Sequence, residues 1–400
     1  MQHNEAVIID AVRTPIGKYG GVLKDVRPDD LSAIVIRAIL ERTQIDPSII
    51  QDVYWGCANQ AGEDNRNIAR MALLLAGLPF SVPGATINRL CGSGMDAVHQ
   101  GARAIWSGDL DIIIVGGVES MSRAPYSVPK NQSGAFGNVT AYDTALGWRY
   151  PNPKHQLIFP LEQMGETAEN VAEKYAISRE NQDQFALLSH QKALQAQLSG
   201  AFSDEIVPVP VSTKKNEFQF VTKDESPRED TTIEKLAKLS PVFRKNGSVT
   251  AGNSSSLNDG ASALLIMSES KANQLGLTPM ARIVSTGVAG VDPRYMGMGP
   301  IPATNIALAK FGKGIDCIDL VELNEAFASQ SLAVIQELQL DPVRVNINGG
   351  AIALGHPLGC SGARILTTLI YSMKRRNAKY GLATMCIGVG QGIATIIERY

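Results

Sequence analysis

One short pattern occurs twice in this 400-residue chain, and it constrains the fold more than any other feature. Cys91-Gly92-Ser93-Gly94 and Cys360-Ser361-Gly362 stand 269 residues apart, each at the head of a helical apolar period. The first is followed by Met95, Val98, Ala102 and Ile105 at spacings of three and four. Ala97, Gly101 and Ala104 add small residues that permit close approach, which predicts a buried helix. At the same offset the second copy carries Ile365, Leu366, Leu369, Ile370 and Met373. The β-branched run Ile112–Val115, bounded by Gly116-Gly117, maps onto Gly381–Thr384, and Asp52–Asn59 maps onto Val321–Ala328. Such a run suits a strand covered on both faces of a parallel sheet. Elements in register at one offset predict an α/β fold of two duplicated αβ halves.

The stretch 121–256 between the copies has a different character. Residues 121–160 are rich in Pro, Asn, Tyr and Trp without sustained period, and 203–246 are charged and irregular. Between them Ser178 suits an N-cap and Gly200 a C′ stop for a helix with Leu187, Leu194 and Leu198 on one face. The stretch reads as an insertion, and long loops over a rigid core usually carry binding function. A net charge of −2 leaves no electrostatic footprint for nucleic acid or an anionic membrane surface. No apolar window approaches the roughly 18 residues of a membrane span, and Met1–Glu5 has no basic n-region of a signal peptide. The five dispersed cysteines, without a CxxC, suit reduced thiols and a cytoplasmic location.

Four residues stand out for chemistry. Cys91 lies at the expected N-terminus of a helix, where the dipole and free N–H groups favour the nucleophilic thiolate; a small buried residue in a Gly-rich turn is the plainer alternative. His356, in the Gly-rich loop Gly349–Gly362, is held out of helical geometry by Pro357 and is a candidate base for a thiol, or a structural imidazole bonded to a carbonyl. His356 and Cys360 have a metal-ligand spacing, but Pro357 and Gly359 disfavour the helix it needs, so no metal is expected. Cys386 precedes Gly388-Val389-Gly390-Gln391-Gly392; a strand and the chain end follow, so a turn between strands is expected and not a dinucleotide loop. Asn324 follows the strand-like Leu320–Leu323 and can aim its amide into a ligand crevice or cap a helix.

Together these segments resemble the thiolase family over the whole chain. The resemblance rests on Val12–Gly17, Asn88–Gly94, Gly116–Met121, Thr250–Ser255, Asn324–Phe327, Gly349–Gly362 and Cys386–Gly392. It implies a layered fold in which 1–120 with 257–278 form one half, 279–400 the other, and 121–256 a loop domain that binds coenzyme A. It further implies acyl transfer through a Cys91 thioester, with His356 taking the thiol proton and Cys386 serving proton transfer at the α-carbon. Asn324, through a water, and His356 resemble the donors to the enolate oxygen. The N–H groups of Cys91 and Gly388 resemble the oxyanion hole, and Ser255 and Arg228 match positions that touch coenzyme A. Coenzyme A is then a substrate, no permanently bound cofactor or metal is needed, and a homotetramer built from dimers is implied.

For the acyl chain, Gly56–Asn67 continuing through Leu78-Pro79, Ser133–Gly137 and Leu146–Arg149 are similar to 3-oxoadipyl-CoA thiolases of aromatic-acid degradation. Gln163-Met164-Gly165 stands where acetoacetyl-CoA thiolases resemble His-Met-Gly, which keeps a short- or medium-chain thiolase as the alternative. Arg66, Arg89 and Arg294 are candidates for a substrate carboxylate by motif proximity. A ketoacyl synthase resembles a Cys-His-His or Cys-His-Asn site, which Cys386 in its Gly-rich context disfavours. A non-catalytic acyl-CoA binder would not need Cys91, Asn324, His356 and Cys386 together.

Overall fold

A computed structural model describes residues 4–130, 137–214 and 217–400, which leaves Ser133–Phe136 of one resemblance motif outside the described residues. Among the described residues the main sheet has ten strands, nine of them in one path: β1 (Ala6–Arg13), β2 (Asp52–Gly56), β3 (Ala85–Ile87), β4 (Ile112–Ser120), β5 (Asn258–Ser268), β6 (Ala281–Gly290), β7 (Leu320–Leu323), β8 (Tyr380–Ile387) and β9 (Gln391–Arg399). Their order is β7-β8-β9-β6-β1-β5-β4-β2-β3, and a short strand Gly17–Lys18 also pairs with β5. β1 and β6 meet at the centre, with Val7 opposite Arg282 and Ile8 opposite Ala281. Outward from there the two sides match: β1-β5-β4-β2 and β6-β9-β8-β7 each have two antiparallel pairings followed by a parallel one. The sheet is therefore mixed, and the expectation of a parallel sheet holds only for β4/β2, β2/β3 and β8/β7.

The repeat also slips by one residue. Asp52 pairs with Ile113 and Leu320 with Gly381, so the strands recur at 268 residues. The helix ends, closed by left-handed Gly108 and Asn377, recur at 269. The helix-to-strand loop is one residue shorter in the second half, and the face alternation requires it. Ile113 and Val115 face the centre of the molecule, as do Ala383 and Met385; a one-residue slip within a strand would turn them outward.

Seven helices position the site: α1 (Pro28–Thr43), α2 (Ser93–Ser107), α3 (Met164–Lys174), α4 (Arg179–Leu198), α5 (Pro300–Phe311), α6 (Ala328–Glu337) and α7 (Leu358–Arg376). The repeated helices α2 and α7 pack together in the middle, and each touches strands of both halves. Met95, Val98, Ile113, Val115, Ile365 and Leu366 are fully buried in this central cluster, each contributing roughly 1.5–3 kcal/mol. α1 covers the outer face of the first half and α5 that of the second.

The second half turns from β8 to β9 over Gly388–Gly390, with Val389 and Gly390 at φ of 62° and 77°, as a tight hairpin turn requires. At the equivalent junction of the first half, β4 to β5, residues 121–257 intervene and contain α3 and α4. The caps of α4 are where the sequence places them: Ser178 accepts from the Asn181 N–H, and Gly200 has φ of 71°. Its buried face is not the leucine stripe. Gln182, Asp183, Ala186, Ser189, His190, Ala193 and Ala196 point inward and Leu198 is 82% exposed. Small residues let α4 approach the Gly349 backbone, where an added Cβ would lie 2.8 Å from that of Ala193. Residues 203–246 also hold a hairpin, Val209–Lys214 with Glu217–Val221, whose strands are largely exposed, Phe218 and Phe220 included.

Candidate active site

Cys91 lies one residue outside α2, whose first helical residue is Ser93 and whose N-cap is Gly92. Leu90, at φ of 47°, bends the chain just before the thiol. Two backbone N–H groups reach the sulfur, that of Gly388 and that of Cys91 itself. They do not make a resting thiolate: burial raises the thiol above its usual range, and the Glu119 charge adds to this. The expectation that the helix terminus would ionise Cys91 is thus corrected, because desolvation outweighs two hydrogen bonds.

Cys386 is the penultimate residue of β8, buried against Met296, Ala326 and Phe327, with Met164 and Phe243 beside them. Burial pushes its thiol strongly upward, and Cys91 is near enough to add to the shift. Both thiols therefore hold their protons at rest. Gly388 follows in the turn, where a Cβ would lie 3.4 Å from Met164 Sδ and 3.6 Å from Leu90 Cδ1.

His356 is buried between the single turn Ala351–Leu354 and α7, whose N-cap is Pro357. Its N–H donates to Asn258 Oδ1 at 3.0 Å. Its Nδ1 lies 2.6 Å from Ser361 Oγ, which in turn donates to the Pro357 carbonyl at 2.8 Å. The one hydroxyl proton of Ser361 is used on Pro357, so both contacts are satisfied when His356 Nδ1 carries a proton and Nε2 is bare. Burial, reinforced by the Arg364 charge, pushes His356 down to about 3, so the ring is neutral. Nε2 faces Asn324 Nδ2 at 3.5 Å. Asn324 is buried just past β7 and its Oδ1 has no partner among the described residues. The N-cap of α6 is Phe327, so Asn324 is not a helix cap.

Three supporting residues have no role in the sequence reading. Asn258 pins the His356 backbone, and Ser361 sets its tautomer. Glu119, buried and pushed up to about 7 by desolvation, accepts from the N–H groups of Ala58 (3.0 Å), Asn59 (3.1 Å) and Gly359 (2.9 Å). It clamps the loop after β2 to the loop carrying His356. Glu119 and Ser361 stand inside quoted motifs; only the fold reveals which backbone groups they hold.

Residues 6–270 match the family description "Thiolase, N-terminal domain" and 277–399 match "Thiolase, C-terminal domain". The chain belongs to the thiolase family. The Escherichia coli K12 protein named 3-oxoadipyl-CoA/3-oxo-5,6-dehydrosuberyl-CoA thiolase is 56% identical over 99% of both chains, and the beta-ketoadipyl-CoA thiolase of Pseudomonas putida 52% over the same share. An acetyl-CoA acetyltransferase of Pseudomonas aeruginosa is 50% identical, again over 99% of both. The crystal structure of the Bacillus anthracis acetyl-CoA acetyltransferase superposes with a TM-score of 0.93 at 46% identity, covering 100% of this chain and 99% of that one.

A thiolase takes coenzyme A as substrate, and this one has an open cleft of about 430 Å³ between the insertion and the body of the fold. Lys18 and Arg228 bring positive charge to it, Lys235 pairs with Asp230 at 2.8 Å on its lining, and Ser226, Ser254 and Ser256 bring hydroxyls. Arg228 is among the residues lining this cleft. Ser255 does not line the cleft; its N–H donates to the Ala326 carbonyl at 3.0 Å. Of the candidates for a substrate carboxylate, Arg66 is exposed, Arg89 pairs with Asp96 at 3.1 Å, and Arg294 pairs with Asp292 at 2.5 Å. No helix among the described residues is long and apolar enough to cross a membrane.

Proposed function

We propose that this thiolase cleaves 3-oxoadipyl-CoA with coenzyme A to succinyl-CoA and acetyl-CoA. The observations that carry the catalytic reading are the nearness of the Cys91 and Cys386 thiols to each other and the pairing of His356 Nε2 with Asn324 Nδ2 at 3.5 Å, its Nδ1 being held by Ser361. Cys91 gives its proton to His356 and attacks the 3-oxo carbon. The oxygen charge that develops there is held by the N–H groups of Cys91 and Gly388. The C2–C3 bond breaks, the electron pair passes to the acetyl-CoA enolate, and His356 with Asn324, through a water, stabilises its oxygen. Cys386, whose raised thiol keeps its proton available, protonates C2. Coenzyme A then takes the acyl group from Cys91: its thiol proton goes to the Cys386 thiolate, and the proton held by His356 returns to the departing Cys91 sulfur. No metal or resident cofactor enters these steps.

Arg228 and Ser255 are assigned to coenzyme A, with 121–256 as the domain that binds it between halves 1–120 plus 257–278 and 279–400. A homotetramer of two dimers in the cytoplasm belongs to the same reading. Support for the diacid chain is the set of relatives at 52–56% identity; the acetyl-CoA acetyltransferase at 50% supports a short-chain thiolase as the second reading.

Incubation with acetyl-CoA should leave an acetyl mass on the Cys91 peptide, absent in Cys91→Ala. Cys386→Ala should still acetylate while thiolysis falls by roughly 10². A label elsewhere, or equal loss of acetylation and turnover in folded Cys386→Ala, contradicts these roles. Higher kcat/KM for 3-oxoadipyl-CoA than for 3-oxohexanoyl-CoA and acetoacetyl-CoA is expected, and the reverse order selects the second reading.

A further inference from the structure

A diacid chain attached to Cys91 brings a carboxylate into a partly desolvated place, which requires a cation not already neutralised. Most arginines around the thiol are committed. Arg27 and Arg123 share Glu63, Arg89 holds Asp96, Arg244 holds Glu173 and Arg294 holds Asp292. Arg70 spends both Nη atoms on the carbonyls of Val82 and Phe80.

Arg149 differs. It is half-buried, and its Nη1 donates to Asn59 Oδ1 at 3.2 Å and to the Thr144 carbonyl at 3.4 Å, both neutral acceptors. Its Nε and Nη2 make no hydrogen bond among the described residues, and it forms no ion pair there. The residues outside that set include no Asp or Glu. Asp64 feels its charge, but the oxygens of Asp64 accept from the N–H groups of Gly62 (2.8 Å) and Arg66 (3.1 Å).

Its place in the fold fits the end of an acyl chain. On one side Asn59 adjoins Ala58, whose carbonyl accepts from Asn88, and Asn88 Oδ1 accepts from the N–H of Leu90, the neighbour of Cys91. On the other side Trp148 donates to the Glu162 carbonyl at 3.0 Å, two residues before Met164, whose sulfur lies beside Gly388. The two neutral bonds orient the guanidinium and leave Nε and Nη2 for a bidentate carboxylate. We propose that Arg149 binds the distal carboxylate of the acyl chain and sets a preference for dicarboxylic 3-oxoacyl-CoA substrates. The proposal rests on the 3-oxoadipyl reading above.

The test is kcat/KM for 3-oxoadipyl-CoA and for 3-oxohexanoyl-CoA, its uncharged analogue of equal length, in the native enzyme, Arg149→Gln and Arg149→Lys. The native ratio in favour of the diacid should collapse by about 10- to 100-fold in Arg149→Gln, through loss on the diacid, and recover in part in Arg149→Lys. Turnover of the uncharged chain reports whether the variant is folded. If the native enzyme prefers the diacid and Arg149→Gln keeps that ratio, or loses both substrates equally, Arg149 is not the determinant and the substrate reading survives. If the native enzyme shows no such preference, the 3-oxoadipyl reading falls first and this proposal with it.

Discussion

Two histidines in the core are held neutral by burial, but their neighbours give them different chemistry. His99 places Nε2 2.8 Å from Thr395 Oγ1 and leaves Nδ1 without a partner among the described residues, a structural arrangement within α2. His356 has its Nδ1 proton fixed by Ser361, so that its basic nitrogen faces Asn324. Ser361→Ala removes that acceptor, at a stability cost of about 1 kcal/mol. The ring then loses both its preferred tautomer and its orientation, and kcat should fall about 10-fold with a near-native melting temperature. Unchanged kcat would show that Pro357 and Asn258 alone orient the ring. The same scale shows why a local rule misjudged Cys91: helix position was legible, whereas the packing of Leu90 and Cys91 against the central cluster was not.

At the scale of elements, catalytic precision depends on how closely three backbone segments approach. Gly359 begins α7 against β4 and the loop after β2: a Cβ there would lie 2.5 Å from the Val118 carbonyl oxygen and 2.8 Å from Cys57 Cα, both backbone. Gly359→Ala must shift the His356 loop away from Glu119. About 1–3 kcal/mol of destabilisation is expected, together with a loss of turnover larger than the fall in folded fraction explains. Gly314→Ala is the control, since its Cβ meets nothing within 4 Å and its φ is −76°; it should leave activity unchanged, read by melting temperature and kcat in parallel. Such approaches mark the limit of legibility. The helices Ser93–Ser107 and Leu358–Arg376 and the strand Ile112–Ser120 show in the sequence because local apolar runs and periods create them. Strand direction, the one-residue slip between halves and the inward face of α4 depend on distant partners. For the same reason Cys91, Asn324, His356 and Cys386 could be picked out from their motifs, while Glu119, Asn258 and Ser361 are recognisable only by what they hold.

For the whole molecule, buried titratable groups set a pH window of stability whose two limbs arise from different residues. His356 and His190 are depressed to about 3 and about 4, and His99 lies well below its usual 6.5. Their contribution is complete above pH 6.5 and is lost as pH falls towards their native values, because the unfolded chain binds protons that the native protein refuses. Glu119 and Glu322 act in the opposite sense. Raised from 4.5 to about 7 and about 8, they contribute fully below pH 4.5 and lose that contribution as pH climbs through 7 and 8. Burial also raises Cys57, Cys91, Cys360 and Cys386, so ionisation of these thiols in the unfolded chain extends the loss above pH 9. Burial also raises Glu325, Asp10, Asp64 and Asp259, so between pH 4.5 and 6.5 the histidines and the carboxylates oppose one another and the curve should be shallow. The urea midpoint is therefore expected to be highest between pH 4.5 and 6.5, and to fall towards both pH 3 and pH 9. Glu119→Gln separates the limbs: it should flatten the decline from pH 6.5 to 8 and leave the acid limb intact, since the amide no longer titrates. A midpoint that keeps rising from pH 6.5 to 9, or an acid limb altered by Glu119→Gln, would mean that other groups control the window.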